Sequence, residues 1–153
     1  MDKIAARHLT ADLYNCKASC LADEDALRDK ITELFEANGF HILASTMQDI
    51  DADHVALVML LGEGHFAIHL YKSLAYVAAD FFLCDKAAAP DSFLKKLRGL
   101  FKPEKFRTTY LMGGYFNVCG ADMKPQVKTH VAPLRRIHNT GAKVIRLLAH
   151  RKH

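Results

Sequence analysis

Alternation of apolar and polar residues dominates the first 115 positions. Residues 8–14 place Leu9, Ala11 and Leu13 on one side and His8, Thr10 and Asp12 on the other, the period-two pattern of a half-buried strand. Residues 40–50, 55–61, 65–71, 76–84 and 105–112 also read as strands. Two segments carry a helical period instead. Asp23 is placed to cap the first, Glu24 and Asp25 favour its positive end, and Leu27, Ile31, Leu34 and Phe35 share one face before Asn38-Gly39 supplies the stop. The second follows Pro90-Asp91, with Phe93, Leu94, Leu97 and Phe101 as its apolar stripe. The order β-α-β-β-β-β-α-β predicts an α+β two-layer sandwich, a mainly antiparallel sheet of about six strands with two helices on one face. Residues 55–61 are apolar throughout, which predicts a strand covered on both faces. Two helices cover one face only, so the other is expected to meet the same sheet of a second copy, giving a homodimer.

Composition narrows the class. The chain has 153 residues, 50% apolar and 25% charged, the size of one ordinary domain with a core of its own. No apolar run reaches the ~18 residues of a membrane span, and the first seven residues mix both charges and lead into no signal-peptide core. Four cysteines, Cys16, Cys20, Cys84 and Cys119, are sparse and irregularly spaced, as expected for free thiols in a reducing cytoplasm. Cys16-x-x-x-Cys20 lacks the second pair a structural zinc site needs, so surface thiols are expected there.

Charge divides the chain. Residues 1–115 hold 13 Lys/Arg against 16 Asp/Glu, whereas residues 116–153 hold 8 Lys/Arg and only Asp122. This predicts a near-neutral domain over 1–115 and a basic C-terminal extension over 116–153. Within it, residues 133–153 contain no acid, and Thr140 could cap a short helix carrying Val144, Ile145 and Leu148. Nucleic acid or an anionic lipid surface is one partner for such a segment. A helix docked on its own domain with its basic face solvated is the plainer expectation, since no nucleic-acid-binding motif accompanies the charge.

Candidate chemistry gathers around Gly62-Glu63-Gly64-His65, a tight connection of hairpin type. Beyond it His65, Ala67, His69 and Tyr71 share a face, and on the next strand Tyr76, Ala78, Asp80, Phe82 and Cys84 do the same. If neighbouring strands pair, His8/Asp12, His65/His69 and Asp80/Cys84 converge on one surface. Imidazole, carboxylate and thiol are the groups that move protons near neutral pH. A solvated sheet face would show the same alternation. His65 and His69 lie ~13 Å apart along a strand at ~3.3 Å per residue, so no shared metal is expected.

The order of motifs resembles the prokaryotic S-adenosylmethionine decarboxylase family. The resemblance rests on Arg7-His8-Leu9 with Asp12-Leu13-Tyr14, Ser45-Thr46, Glu63-Gly64-His65-x-x-Ile68-His69, and Tyr76-x-Ala78-x-Asp80-x-Phe82-x-Cys84. It implies a two-layer protomer that dimerises and a pyruvoyl enzyme of polyamine (spermidine) biosynthesis. In that family the chain cuts itself between Glu and Ser: the serine hydroxyl attacks the preceding carbonyl, and elimination from the ester leaves a pyruvoyl group that acts as electron sink for decarboxylation. By position the resemblance implies that Glu63 precedes the cut, His69 is the processing histidine and Cys84 the acid that reprotonates the product.

The serine position, however, is Gly64, which offers neither the attacking hydroxyl nor the carbon that becomes the pyruvoyl methyl group. No Ser, Thr or Cys lies between residues 47 and 72 to replace it. The family's second processing serine falls on Ala56, its Thr-Trp-Pro-Glu reads Leu70-Tyr71-Lys72-Ser73, and its His-Arg-Phe reads Gln48-Asp49-Ile50. We therefore expect a divergent, uncleaved member without a pyruvoyl cofactor. His8, Asp12, His65 and Asp80 would bind S-adenosylmethionine or a related metabolite, or the chain would regulate an active paralogue in a mixed dimer. Three alternatives stand beside this: a proenzyme inactivated by a Ser→Gly substitution, a new reaction in the same pocket, and an anionic partner on the basic tail.

Overall fold

The computed structural model describes residues 6–84, 90–113 and 126–131. In chain order these form β1 (Ala6–Tyr14), a 3-10 turn (Ala18–Cys20), α1 (Glu24–Ala37), β2 (Ile42–Asp49), β3 (His54–Leu61), β4 (Gly64–Tyr71), β5 (Tyr76–Leu83), α2 (Pro90–Phe101), β6 (Lys105–Gly113) and β7 (Gln126–Val131). Among the described residues the strands make one antiparallel sheet in the order β2-β3-β4-β5-β1-β6-β7. The two-layer α+β architecture expected from the alternation is the one observed, with β7 as an addition. β7 lies in the basic segment, is exposed almost throughout, and borders the sheet as an edge strand. The helix expected at Thr140 lies outside the described residues.

Both helices start and stop on local chemistry. The Asp23 carboxylate accepts from the Ala26 N–H at 2.9 Å, capping α1, and the Asn38 side-chain amide donates to the Leu34 carbonyl at its end. Gly39 then takes a φ of 78° to turn the chain. Topology decides which face the helices cover. β1 and β2 run parallel with α1 between them, and β5 and β6 run parallel, in the opposite sense, with α2 between them. The first connection moves one way across the sheet and the second moves the other way. Right-handed crossovers therefore put both helices on the same face.

That face is the core. Leu27, Ile31 and Phe35 of α1 and Phe93, Leu94, Leu97 and Phe101 of α2 are buried against Leu9, Leu13, Leu57, Met59, Phe66, Ile68 and Phe81 of the sheet. Phe35 stands at the centre, its ring 4.4 Å from that of Phe93 and 4.9 Å from that of Phe66. Burying each such ring contributes about 1.5–3 kcal/mol. The opposite face is open. On β3, Val55, Leu57, Met59 and Leu61 are buried while Val58 and Leu60 are 44% and 53% exposed, so the strand expected to be covered on both faces is covered on one within a single chain.

Of the described cysteines, one differs from expectation, and Cys119 lies outside the described residues. Cys16, expected at the surface, is buried; its thiol donates to the Leu13 carbonyl, and burial, with the neighbouring Cys20 adding to it, pushes it up to about 12. The chain turns inward after β1, tying Cys16 N–H to the Ala75 carbonyl at 2.8 Å, and this carries the side chain into the core. Cys84 is exposed.

Candidate functional site

Residues opposite one another in an antiparallel ladder share a face, so the open surface is built of rungs. Across β3, β4, β5, β1 and β6 the first rung reads Leu60, His65, Phe82, His8 and Leu111. The next reads Val58, Ala67, Asp80, Thr10 and Thr109, and the third Ala56, His69, Ala78, Asp12 and Arg107. His54, Tyr71 and Tyr76 form a fourth.

The polar groups expected to converge separate into two clusters. In the first, His8 Nε2 lies 2.6 Å from Asp80 Oδ2 and His65 Nε2 lies 3.7 Å from Asp80 Oδ1. An ionised carboxylate only accepts, so the His8 nitrogen carries the proton of that bond. The His65 ring stacks on Phe82 at 5.3 Å, and His8 meets the same ring edge-on at 6.0 Å. One carboxylate thus stands between two imidazoles over an aromatic floor.

The second cluster centres on Asp12. Its carboxylate accepts from the Tyr76 hydroxyl at 2.7 Å and from Arg107 at 2.8 and 3.0 Å. Burial together with this bond pushes the Tyr76 phenol well above its usual range, and Asp12 likewise holds Arg107 further into its charged form. His69 goes to neither carboxylate. Its Nδ1 lies 2.9 Å from Nε2 of His54, and one nitrogen must donate while the other accepts. His54, which the sequence reading did not single out, stacks on Tyr71 at 4.3 Å and, with His69, Tyr71, Tyr76, Leu74 and Ala78, lines a shallow cavity of about 340 Å³.

The remaining expected residues lie at one end of the sheet. Gly62 and Glu63 form the two-residue turn of the β3–β4 hairpin, with Leu61 paired to Gly64. Glu63 folds back onto His41, accepting from its backbone N–H at 3.1 Å and meeting its ring Nδ1 at 2.5 Å. Burial pushes the Glu63 carboxyl up, but the two His41 bonds outweigh it and leave the group below the usual carboxylate range. The Cys84 N–H donates to the Glu63 carbonyl at 2.7 Å. His41, Leu43, Gly62, Glu63 and Cys84 line an open cleft of about 610 Å³. The sequence reading missed His41, which sits just before β2 and outside any alternating run. His69 lies five residues beyond Gly64 on one straight strand, about 16 Å away at ~3.3 Å per residue. Within one chain, therefore, Gly64 and His69 do not share a site.

Gly64 holds a φ of 154°, and a Cβ built there would stand 1.9 Å from the Phe82 carbonyl oxygen and 2.9 Å from its carbon. The β4–β5 pairing brings the two backbones together where a side chain would have to pass.

The family model for S-adenosylmethionine decarboxylase matches residues 7–114. The S-adenosylmethionine decarboxylase proenzyme of Methanococcus maripaludis is 25% identical over 116 residues, covering 76% of this chain and 95% of that protein. The proenzyme of Archaeoglobus fulgidus is 27% identical over 104 residues, covering 68% and 93%. In fold, the chain resembles the crystal structure of the adenosylmethionine decarboxylase from Aquifex aeolicus, with a TM-score of 0.61 at 17% identity over 80% of this chain and 100% of that one. The chain belongs to the S-adenosylmethionine decarboxylase family. Its residues do not fit the pyruvoyl group that the resemblance implies, because position 64 has neither a hydroxyl nor space for the carbon that would bear one.

Proposed function

We propose that this chain is a divergent member of its family that stays whole and binds S-adenosylmethionine or a closely related metabolite without pyruvoyl chemistry, in the setting of polyamine biosynthesis. Gly64 carries this reading. The missing hydroxyl rules out the family's acyl shift at this bond, and the close approach of Phe82 supports a hairpin adapted to glycine. Ala56 lies directly opposite His69, so the family's second processing hydroxyl is absent from the place where the imidazole could meet it.

The working form is a homodimer closed through the open sheet face. On that face Val58 and Leu60 of β3 and Leu111 of β6 are 44–53% exposed, apolar positions on either side of the polar centre that a second sheet would cover. His8, Asp12, His65 and Asp80 would then lie between two sheets and form the ligand-binding surface. A mixed dimer with an active paralogue uses the same face and is the regulatory form of this reading.

Three measurements on the purified chain test it. Intact mass under denaturing conditions should give one species near 17.1 kDa. Carboxyl-labelled S-adenosylmethionine should release no carbon dioxide at an enzymatic rate. Calorimetry should show S-adenosylmethionine binding, weakened at least tenfold by Asp80→Asn. Two fragments meeting between Glu63 and Gly64, or enzymatic decarboxylation, would overturn the reading.

A further inference from the structure

On the helix side of the sheet, away from His8 and Asp80, α2 and β7 enclose a groove that the proposed function does not use. β7 pairs with β6 so that His130 lies opposite Phe106 and Lys128 opposite Thr108. Phe106 and Thr108 are buried, so Lys128 and His130 share their face and stand as one wall. Lys95 and Arg98, three residues apart on α2 and hence neighbours on its surface, form the other. The groove measures about 240 Å³, and among the described residues no acidic one lines it.

Some cations of the fold are neutralised by carboxylates. Lys72 pairs with Glu24, Arg28 with Asp25 and Asp29, and Arg107 with Asp12. Lys95, Arg98, Lys128 and His130 have no carboxylate partner among the described residues. The Lys128 ammonium is held over the groove by the Tyr110 ring, 4.8 Å from its centroid. Bringing three fixed positive charges and an imidazole to one concave site against a low-dielectric floor focuses a positive potential there.

We propose that this groove binds a small phosphate-bearing anion. The donors approach from two opposite walls, with the Thr108 side chain beneath, so a group with acceptors on every side satisfies them together. Tetrahedral phosphate is such a group, whereas a lone carboxylate accepts only near its own plane. Arg98 supplies the forked donor that suits phosphate oxygens, and the lysines act as point charges. The volume falls below the roughly 300–1,000 Å³ of pockets for drug-sized ligands. It suits one phosphate and a small body lying against Leu94 and Phe106, and is too short for a run of nucleic-acid strand.

The test is a two-dimensional amide NMR titration of the full chain with inorganic phosphate and then pyrophosphate, ionic strength being held constant with chloride. Saturable shifts confined to α2, β6 and β7 are expected. Arg98→Gln and Lys128→Gln should each weaken the apparent affinity at least tenfold, while Lys30→Gln on the exposed side of α1 leaves it unchanged. All three should melt like the parent chain. Linear, non-saturating shifts, or saturation that survives both groove substitutions, would overturn the proposal. So would saturation by a single-stranded oligonucleotide alone. Because the groove and the His8–Asp80 surface lie on opposite faces of the sheet, failure here leaves the proposed function standing, and the reverse also holds.

Discussion

A serine introduced at position 64 would drive its Cβ into the Phe82 carbonyl, 1.9 Å from where that atom would sit, in a backbone region that L side chains rarely adopt. Strain of this kind costs about 1–3 kcal/mol for the backbone alone, so Gly64→Ser should lose about 2 kcal/mol or more in urea unfolding and still give a single intact mass. Self-cleavage of that variant would show that glycine is the only obstacle, contrary to the losses at Ala56 and around Lys72. The Glu63–His41 pair gives a second test. A carboxyl held low in the folded chain and ordinary in the unfolded one adds stability above its unfolded pKa of about 4.3, which is lost as pH falls through the folded value. Glu63→Gln should therefore lower the melting temperature near neutral pH, and the difference should shrink as pH drops below the ordinary carboxylate range. At this scale the sequence showed which residues face the open side, since alternation fixes that alone. It did not show their partners: His8 and Asp80 are 72 positions apart, and no local pattern reveals that β1 and β5 are neighbours.

Among the elements, α1 was the most legible, because its cap, stripe and stop are each local. Phe35 is the core residue that its stripe delivers, and Phe35→Ala should cost about 3–5 kcal/mol in chemical unfolding. A loss below about 1 kcal/mol would mean the aromatic cluster is not packed as described. The β3–β4 register was also within reach of the sequence. A two-residue turn at Gly62-Glu63 sets Leu61 opposite Gly64, and counting outward sets Ala56 opposite His69. His54 could have been placed near His69 in the same way. β7 was harder to see. Val127, Thr129 and Val131 do alternate, but six residues with both faces wet carry little hydrophobic signal, and the surrounding charge suggested a separate tail instead.

For the whole molecule the open face matters most. Leu60 lies in the rung of His65, Phe82 and His8, so a charge there would sit within any sheet-to-sheet interface while disturbing nothing inside one chain. Leu60→Lys should weaken self-association at least a hundredfold in sedimentation equilibrium and leave the circular dichroism spectrum unchanged. A wild-type chain that stays monomeric at high concentration would remove the dimer from the proposal. Topology has a further consequence, which concerns synthesis. β1 emerges from the ribosome ahead of the other described strands of the sheet yet ends between β5 and β6, its partners reaching as far as Gly113. The hairpins β2–β3 and β3–β4 can close within a few residues of being made, but the opening strand must wait, unpaired on both edges, until two later strands arrive. A nascent chain released before α2 and β6 would expose Leu9, Ala11 and Leu13 to whatever edge lies nearby. Premature termination ahead of residue 105 should therefore give an insoluble product rather than a smaller folded one.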